Sequence, residues 1–333
     1  MKFGVLQFFS WPDRRVALPV VYERALERIE IMDRSGYDAV WLTEHHFNDY
    51  SVCPSIPVMG AYAAARTKRL HIATGVTLAA FYHPLRLAEE IALLDILSGG
   101  RVYWGAGRGF DPKEFRTFGM TPEESYPRFR EAVDIVLAAW RNRRLKYSGK
   151  YFTFDEIEVL PKPLQQPHPP MWVAAHNPSA IEWAAAQGYS MMLGPHSPPS
   201  VIDEGMKMWR RLMIEHGHNP EGRVLPTVRL VAIAHTDAEA ADIAREGSKF
   251  MLRTYINPQG ERDNDTKLRN YVDSMVIHGT ADRVVDQILR LKEEIHLDYM
   301  ITAPLSHETF LTFTEQVLPK LATSEPVIKP NAN

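Results

Sequence analysis

The chain contains 333 residues, of which 45% are hydrophobic and 24% charged, the composition of an ordinary globular protein with a sizeable core. Its 38 Lys and Arg side chains nearly balance 41 Asp and Glu, so a net charge of −3 excludes the basic surface typical of nucleic-acid-binding proteins and polybasic membrane anchors. The single cysteine, Cys53, excludes an intrachain disulfide and a multi-cysteine zinc site, and no apolar run reaches the ~18 residues of a membrane span. Since the first residues lack the pattern of a signal peptide, we expect a cytoplasmic protein.

Short apolar runs alternate with amphipathic runs along the whole chain. In chain order, strand and helix pairs are predicted at 3–9 and 20–35, 39–43 and 56–66, 70–78 and 84–98, 101–104 and 125–140, 171–174 and 178–187, 190–193 and 201–216, 227–234 and 238–253 with 281–296, and 298–302 and 308–318. Eight such units in a row, with strands that are short and apolar on both faces, are typical of a closed (β/α)₈ TIM barrel. A doubly wound open sheet is the lesser alternative, because no glycine fingerprint follows the first strand.

Two segments depart from this alternation. The insertion at about 141–170 has a period-two pattern over 145–160, which predicts a hairpin outside the barrel. The polar segment 254–278 has no core face and is predicted to be a mobile loop or lid. The chain, 1–333, is therefore interpreted as a single barrel domain.

The segment after the fifth predicted strand has the features of an anion site. Asn177 is a good N-cap, Pro178 suits the first helical position, and Ser179 can offer a hydroxyl beside the unpaired backbone N–H groups. No acid precedes Glu182 in this helix, so its start is suited to a phosphate. The alternative is an ordinary capped helix.

A glycine-rich run, Gly105-Ala106-Gly107-Arg108-Gly109-Phe110, follows the fourth predicted strand. Its glycines let the backbone approach a ligand, and Arg108 can offer paired donors to a phosphate. Phe110 stands where a dinucleotide fingerprint needs glycine or alanine, and a tight strand-to-loop turn is the alternative interpretation. Because strands four and five are neighbours in a barrel, we expect Arg108 and the helix start at 177–179 to converge.

His45 and His46 follow the second predicted strand, next to Glu44. Adjacent residues on a strand point to opposite sides and no second ligand cluster stands at the strand ends, so a metal site is the weaker hypothesis. An imidazole at the barrel mouth suits proton transfer near neutral pH, which makes His45 and His46 the catalytic candidates. The alternative, a structural hydrogen bond to the loop, applies more to His46 than to His45.

Five segments resemble the bacterial luciferase-like family of flavin-dependent monooxygenases: 40–47 (VWLTEHHF), 74–101, 104–110 (WGAGRGF), 174–188 (AAHNPSAIEWAAAQG) and 278–288. They cover nearly the whole chain in the family's order. The resemblance implies a (β/α)₈ barrel with an inserted hairpin, a homodimer, and FMN bound at the mouth. It further implies that a separate flavin reductase supplies reduced FMN, which reacts with O₂ to form a C4a-peroxyflavin that oxygenates a small organic substrate.

The resemblance also assigns roles to residues. His45 matches the family's catalytic histidine, Glu44 and His46 shape the ring pocket, Arg108 matches the arginine on the flavin phosphate, and Met192 contacts the ring from below. The implied cofactor contacts are Glu44, Gly75, Val76, Gly107, Arg108, Ala174, His176, Asn177, Ser179, Ala180 and Met192.

Two positions carry more detailed expectations from the resemblance. A non-prolyl cis peptide is implied at Gly75-Val76, where it would support the flavin ring. His176 and Asn177 stand where the family often has other polar residues, so phosphate binding there is expected to rely on backbone N–H groups together with Ser179.

Three other functions stay open at this point. A deazaflavin-dependent dehydrogenase can use the same barrel, a non-catalytic flavin-binding accessory subunit can share the fold, and a metal-dependent barrel hydrolase is the third. Retention of Glu44-His45-His46 counts against the accessory subunit. The apolar residues at the mouth permit an aldehyde, a ketone, a terpene-like ring or a sulfur compound as substrate.

Overall fold

The secondary structure is taken from a computed structural model that describes residues 1–253 and 265–322. The strands are β1 (Lys2–Gln7), β2 (Ala39–Leu42), β3 (His71–Thr74), β4 (Thr77–Leu78), β5 (Val102–Gly107), β6 (Leu145–Ser148), β7 (Thr153–Ile157), β8 (Met171–Ala174), β9 (Ser190–Met192), β10 (Thr227–Ile233), β11 (Val276–Gly279) and β12 (Tyr299–Pro304). The helices are α1 (Leu18–Ser35), α2 (Ile56–Arg66), α3 (Pro84–Ser98), α4 (Pro112–Thr117), α5 (Pro122–Arg141), α6 (Pro178–Ala186), α7 (Pro199–Glu215), α8 (Asp237–Met251), α9 (Asp265–Met275), α10 (Ala281–Ile295), α11 (His307–Thr312) and α12 (Leu318–Leu321). None of the helices within these ranges is both long and apolar enough to cross a bilayer.

Eight of the strands form a closed parallel ring. Its order is β1, β2, β3, β5, β8, β9, β10 and β12, and β12 pairs with β1 again. The ring closes between β9 and β10, where Leu193 bridges Thr227 and the Val228 N–H donates to the Leu193 carbonyl over 2.9 Å. Because each strand of the ring lies beside the one before it and is followed by a helix, the predicted (β/α)₈ TIM barrel is confirmed.

Four buried aromatic side chains fill the interior of the barrel: Trp41, Tyr103, Trp172 and Tyr299. The Trp172 ring packs edge-on against Trp41 and Tyr103, with centroids 5.5 and 5.4 Å apart. The Trp41 indole N–H donates to the Tyr299 hydroxyl over 3.1 Å, so the polar atoms of these rings are paired as well. A barrel filled in this way leaves room for a ligand only above these rings, at the C-terminal ends of the strands.

Two local predictions can be compared with the structure directly. The predicted strand at 70–78 is two short strands, β3 and β4, separated by a cis peptide between Gly75 and Val76. The hairpin predicted over 145–160 is confirmed, since β6 and β7 pair in antiparallel fashion in a sheet of their own.

The prediction of a polar loop over 254–278 is wrong for its second part. Residues 254–264 lie outside the described residues, but α9 and β11 follow them directly. β11 pairs in parallel with the second half of β10, and Val272 and Val276 are buried. The physical reason is that β9 has only three residues, so the later backbone groups of β10 on that flank take β11 as their partner.

Candidate active site

A cavity of about 460 Å³ opens at the C-terminal ends of the barrel strands. Its lining residues are Leu6, Phe8, Thr43, Glu44, His45, Gly75, Val76, Leu78, Gly107, Arg108, Gly109, Phe110, Tyr126, Phe129, Arg130, Ala174, His176, Asn177, Ala180, Trp183, Met192, Gly194, Pro195, His196, Ser197 and Val228. Most of these are apolar or glycine, with a small number of charged and polar groups among them. That composition is typical of a site for a small organic molecule.

Two arginines and the start of α6 meet around the Tyr126 side chain, and we call Arg108, Arg130, Tyr126 and Asn177 the cationic group. The Arg108 guanidinium lies 4.1 Å from the Tyr126 ring centroid and donates to Ser125 Oγ over 2.8 Å. The Arg130 guanidinium lies 6.0 Å from the same centroid, and Asn177 Nδ2 donates to the Tyr126 hydroxyl over 2.8 Å. No carboxylate of a described residue forms an ion pair with Arg108 or Arg130, so their charge is left for a ligand.

The start of α6 adds backbone donors to the cationic group. The Asn177 side chain caps the helix by accepting from the Ala180 N–H over 3.0 Å, and the first turn contains no acidic residue. The Ser179 carbonyl accepts from Arg130 Nη2 over 3.5 Å, which ties the helix start to the arginine. Two guanidinium groups beside a helix N-terminus form an arrangement suited to a phosphate dianion.

One wall of the cavity is flat because its residues are small. Gly75 and Val76, joined by the cis peptide, lie beside Gly107, Ala174 and Met192. A Cβ atom on Gly107 would lie 2.4 Å from Val76 Cγ2, and a Cβ atom on Gly75 would lie 3.0 Å from a Leu6 methyl. Side chains at these two positions would disturb the wall, whereas glycine leaves an apolar surface suited to a planar ring.

His45 lines the cavity at 7% exposure and is held on its Nδ1 side. Nδ1 lies 2.7 Å from the Tyr50 hydroxyl and 3.3 Å from Glu114 Oε1. Glu114 is fully buried, and the same Oε1 accepts from the His46 backbone N–H over 2.8 Å. The negative charge of Glu114 favours a proton on Nδ1, with the Tyr50 hydroxyl oxygen as a second acceptor, so Nε2 is the basic atom of the neutral His45 ring.

The buried Glu44 and the half-buried His46 form a second pair beside His45. Glu44 Oε1 lies 3.3 Å from His46 Nε2, and the Tyr82 hydroxyl donates to Glu44 Oε2 over 3.1 Å. Burial raises the pKa of the Glu44 carboxyl, and the hydrogen bonds from His46 and Tyr82 oppose that shift. In the described part of the chain, no group of three or more His, Cys, Asp or Glu side chains could hold a metal ion.

The loops after β8 and β9 place two more histidines on the cavity. The His176 ring is open to the cavity, and a Cβ atom on Gly194 would lie 2.7 Å from its Cε1, so glycine leaves the room that this ring needs. His196 Nδ1 lies 2.6 Å from the Tyr271 hydroxyl of α9. Desolvation by the surrounding protein lowers the pKa of both imidazoles, and His176 and Arg229 help to lower that of His196 to about 4. Both rings are therefore uncharged at neutral pH.

The structure brings most of the predicted site residues to one cavity. These are Glu44, His45, Gly75, Val76, Gly107, Arg108, Ala174, His176, Asn177, Ala180 and Met192. His46 and Ser179 do not line it. His46 instead contacts the Glu44 side chain, and the Ser179 backbone carbonyl accepts a hydrogen bond from Arg130. The expected convergence of Arg108 with the start of α6 is present through Tyr126.

Sequence reasoning missed Tyr50, Glu114, Tyr126 and Arg130, since none of them stands at the end of a strand. Glu114 lies on the short helix α4, whose start has a sequence signal in Asp111-Pro112, an N-cap followed by proline. Tyr126 and Arg130 lie one turn apart on α5, a spacing that places them on one face of the helix. Tyr50 had no comparable signal.

Comparison with known sequences identifies a family and several relatives of the chain. The family model described as luciferase-like monooxygenase matches residues 1–298. An uncharacterized protein of Sinorhizobium fredii is 34% identical over 256 residues, which cover 77% of this chain and 74% of that protein. The oxygenase component of the flavin-dependent trigonelline monooxygenase of Acinetobacter baylyi is 34% identical over 197 residues, which cover 59% of this chain and 54% of that protein.

Solved structures share the same barrel. A monooxygenase from Streptomyces bottropensis has a TM-score of 0.87 at 28% identity and covers 97% of this chain and 100% of its own. The oxygenating constituent of 3,6-diketocamphane monooxygenase of Pseudomonas putida, in complex with FMN, has a TM-score of 0.80 at 20% identity, with 97% and 99% covered. An F420-dependent secondary alcohol dehydrogenase has a TM-score of 0.77 at 19% identity, with 96% and 98% covered. At 20% identity and below, these likenesses concern the fold.

Proposed function

The chain belongs to the luciferase-like monooxygenase family, and on that premise we propose that it is an FMN-dependent monooxygenase that receives reduced flavin from a separate reductase. The observation that carries the proposal is the presence, in one cavity, of a cationic group, a flat apolar wall and a buried imidazole. When bound, reduced FMN supplies two electrons to O₂, so that one oxygen atom enters a small organic substrate and the other leaves as water.

The cationic group fits the phosphate of FMN. Arg108, Arg130 and the first N–H groups of α6 are donors, and no acid stands in the first turn of that helix. Arg130 Nε is buried and has no hydrogen-bond partner among the described residues. Because a buried donor without an acceptor costs about 1–3 kcal/mol, a phosphate oxygen at this place would stabilise the arrangement.

The flat wall fits the isoalloxazine ring. Gly75, Val76, Gly107 and Met192 present small or flexible groups, and Leu6 and Val228 continue the apolar surface below them. An apolar slot of this kind keeps water from the reacting centre, which protects a reactive oxygenating species from unproductive loss.

His45 supplies the proton chemistry of the site. Glu114 and Tyr50 hold its Nδ1, so the basic Nε2 can accept a proton or a hydrogen bond from the substrate or from the reacting oxygen. Burial raises the pKa of the Glu44 carboxyl, so this second group of the site keeps its proton to a higher pH than an exposed carboxyl does.

The proposal includes two protein partners, a flavin reductase and a second copy of the chain. The relative from Acinetobacter baylyi is the oxygenase component of its enzyme, which supports an external source of reduced flavin. Exposed apolar side chains on neighbouring faces of α2 and α3 support a homodimer: Val58, Tyr62, Leu93, Ile96 and Leu97. Apolar groups at this density are typical of a subunit interface. We further propose that the protein works in the cytoplasm.

A deazaflavin-dependent dehydrogenase is the second candidate function. It is favoured by the likeness to the F420-dependent secondary alcohol dehydrogenase, at 19% identity. Hydride transfer from an alcohol to the deazaflavin, or from the reduced deazaflavin to a ketone, needs no O₂. Oxygen consumption with each reduced cofactor therefore separates the two functions.

The test is a binding titration with reduced FMN, followed by oxygen consumption with a panel of small organic compounds, on the wild type and on His45→Ala. We expect His45→Ala to bind FMN within about twofold of the wild type and to lose about 100-fold or more in turnover, the usual worth of a positioned acid or base. His216→Ala, which changes an exposed histidine, is the matched control. Unchanged turnover in His45→Ala would remove His45 from the chemistry, and turnover only with reduced deazaflavin would establish the second candidate.

A further inference from the structure

One wall of the cavity has polar groups that the flavin proposal does not use. It consists of His176 on the loop after β8, His196 on the loop after β9, and Tyr271 on α9, and we call it the histidine wall. His196 and His176 line the cavity, and the Tyr271 hydroxyl meets His196 Nδ1 at 2.6 Å. The wall joins two loops and one helix, so it depends on the fold of the whole barrel.

Arg229 fixes this wall from behind. This arginine is 2% exposed, its Nη1 donates to the Ser197 carbonyl over 2.8 Å, and its Nη2 donates to the Ser274 carbonyl over 2.9 Å. Ser197 follows His196, and Ser274 lies one turn after Tyr271 on α9. The two hydrogen bonds therefore fix the backbone next to His196 relative to the helix that carries Tyr271.

A buried cation lies behind the histidine wall. Arg229 forms no ion pair with a carboxylate of the described residues, and its buried Nε has no hydrogen-bond partner among them. Glu44 is the only acid among the described residues that line the cavity. Glu294, an exposed residue of α10, acts on Arg229 without forming an ion pair with it. Since a buried charge is normally paired directly with an opposite one, a cavity wall with this guanidinium behind it attracts an anion.

Taking the proposed function as its basis, we propose that the histidine wall binds the carboxylate of the substrate, which is a small organic acid with an apolar body. The apolar body lies against apolar residues that line the same cavity, among them Phe8, Pro195 and Val228. The cationic group is occupied by the flavin phosphate, so the substrate anion needs a second site, and the histidine wall supplies it.

The protonation state of the wall supports this assignment. Burial raises the pKa of the Tyr271 hydroxyl, so it keeps its proton and can donate it to His196 Nδ1, which places the imidazole proton on Nε2. Burial of the His196 ring, together with the electrostatic effects of His176 and Arg229, lowers the pKa of His196 to about 4. The wall thus offers N–H donors without a charge of its own when no ligand is bound.

Binding of a carboxylate is expected to bring a proton with it. His176 and Arg229 act electrostatically on His196, and the Tyr271 hydroxyl contacts its Nδ1. A bound anion next to the two imidazoles raises their pKa values, so the complex takes up protons. The affinity for a carboxylate therefore increases as the pH falls.

The test is calorimetric titration of the FMN-saturated protein with benzoate and with its uncharged isostere benzamide at pH 6, 7 and 8. Repeating the titration in buffers of different ionisation enthalpy measures the protons taken up. We expect benzoate to bind at least about tenfold more tightly than benzamide at pH 6, with net proton uptake, and this preference to be lost in His196→Phe. Tyr271→Phe should lose part of the preference, because His196 then lacks the partner that orients it.

His216→Phe, the same change at an exposed position, is the control and should bind benzoate like the wild type. Equal affinity for benzoate and benzamide, no proton uptake, or an unchanged preference in His196→Phe would each overturn the proposal. A failure of the proposed function is seen separately, because it would appear as a lack of FMN binding in a preceding titration. In that case, benzoate is titrated into the protein without FMN, and loss of binding in His196→Phe still tests the histidine wall. The same titration with Arg108→Ala shows whether benzoate binds at the cationic group instead.

Discussion

At the scale of single residues, the main feature is the way His45 is held. Its Nδ1 contacts Tyr50, five residues away, and Glu114, 69 residues away in sequence. The short helix α4 carries Glu114 to this place, and the Asp111 side chain caps that helix by accepting from the Lys113 N–H over 2.7 Å. His45 is therefore held by Tyr50, a near neighbour in sequence, and by Glu114 of the distant helix α4. The Glu114 carboxylate determines that Nδ1 carries the ring proton.

The prediction at this scale concerns Glu114→Gln. The amide keeps the size of the side chain, and its oxygen can still accept from the His46 N–H, but the negative charge that favours a proton on His45 Nδ1 is lost. The Tyr50 hydroxyl can then donate to Nδ1, which shifts the ring proton to Nε2. We expect turnover to fall about 100-fold or more, while the affinity for FMN changes less than about threefold, because Glu114 acts through His45 and does not line the cavity. Nitrogen NMR of the labelled imidazole should show the change of tautomer.

Glu89→Gln is the matched control, because Glu89 is exposed on α3. It should behave like the wild type in turnover and in the NMR spectrum. If Glu114→Gln retained full turnover, or if its His45 kept the wild-type tautomer, the positioning role of Glu114 would be contradicted.

At the scale of elements, the inserted hairpin shows how a segment outside the barrel is fixed to it. Glu131 of α5 accepts backbone N–H groups from Lys150, Tyr151 and Phe152 at 2.8–3.1 Å, and it is itself buried. A Cβ atom on Gly149 would lie 2.2 Å from Glu131 Oε1, so glycine is required for this close approach. One carboxylate thus satisfies the turn of the hairpin and joins it to the helix.

The prediction for this element concerns Glu131→Ala. Removing the carboxylate leaves three backbone N–H groups without their acceptor. A hydrogen bond to a charged group stabilises a fold by about 1.5–3 kcal/mol. Allowing for water taking over part of this role, we expect the free energy of unfolding to fall by about 2–3 kcal/mol. Hydrogen exchange in β6 and β7 should accelerate.

Glu293→Ala, on the exposed side of α10, is the control and should change the free energy of unfolding by less than about 0.5 kcal/mol. A Glu131→Ala variant as stable as this control, with unchanged hydrogen exchange in the hairpin, would show that the turn does not depend on the carboxylate.

The elements also show what a sequence can and cannot predict. The ring strands and long helices were predicted because period and length are properties of each segment by itself, as in α1, where Val21, Ala25, Ile29 and Met32 face the core. α9 and β11 were missed because their segment is polar and its order depends on a partner, the open flank of β10. α4 has six residues, too few for a hydrophobic period to be visible.

At the scale of the whole molecule, loss of hydration keeps several histidines uncharged near neutral pH. Desolvation lowers the pKa of His71, His168, His176, His196 and His278 from the ordinary value of 6.5. In the unfolded chain these imidazoles take up protons below pH 6.5, whereas in the fold they do so only at lower pH. Their contribution to stability is therefore present above pH 6.5 and is lost as the pH falls toward 4.

The prediction is that the protein unfolds at a lower urea concentration at pH 5 than at pH 7.5. Glu44 and Asp134, whose pKa values are raised by burial, act in the opposite direction, but they are outnumbered by the five histidines. Urea unfolding followed by circular dichroism at several pH values, at constant ionic strength, measures the effect. A midpoint at pH 5 equal to or above that at pH 7.5 would contradict it.

The whole molecule also explains which parts of the site were predictable. The barrel places the end of β5 beside the end of β8, so the convergence of Arg108 with Asn177 follows from the topology alone. The contacts that complete this group, from Tyr126 and Arg130, depend on how α5 is rotated against the barrel. That rotation is set by packing of the whole helix, including Phe129 between them, and a list of polar residues at strand ends does not contain it.

The central claim is that the cationic group holds the phosphate of a flavin, and it is tested most directly by titrating Arg108→Ala with FMN and with riboflavin, which lacks the phosphate. Arg290→Ala, an exposed arginine on α10, is the matched control. Flavin fluorescence should show that Arg108→Ala binds FMN at least about tenfold more weakly than the wild type and binds riboflavin equally well. An unchanged dissociation constant for FMN, or an equal loss for both flavins, would contradict the account.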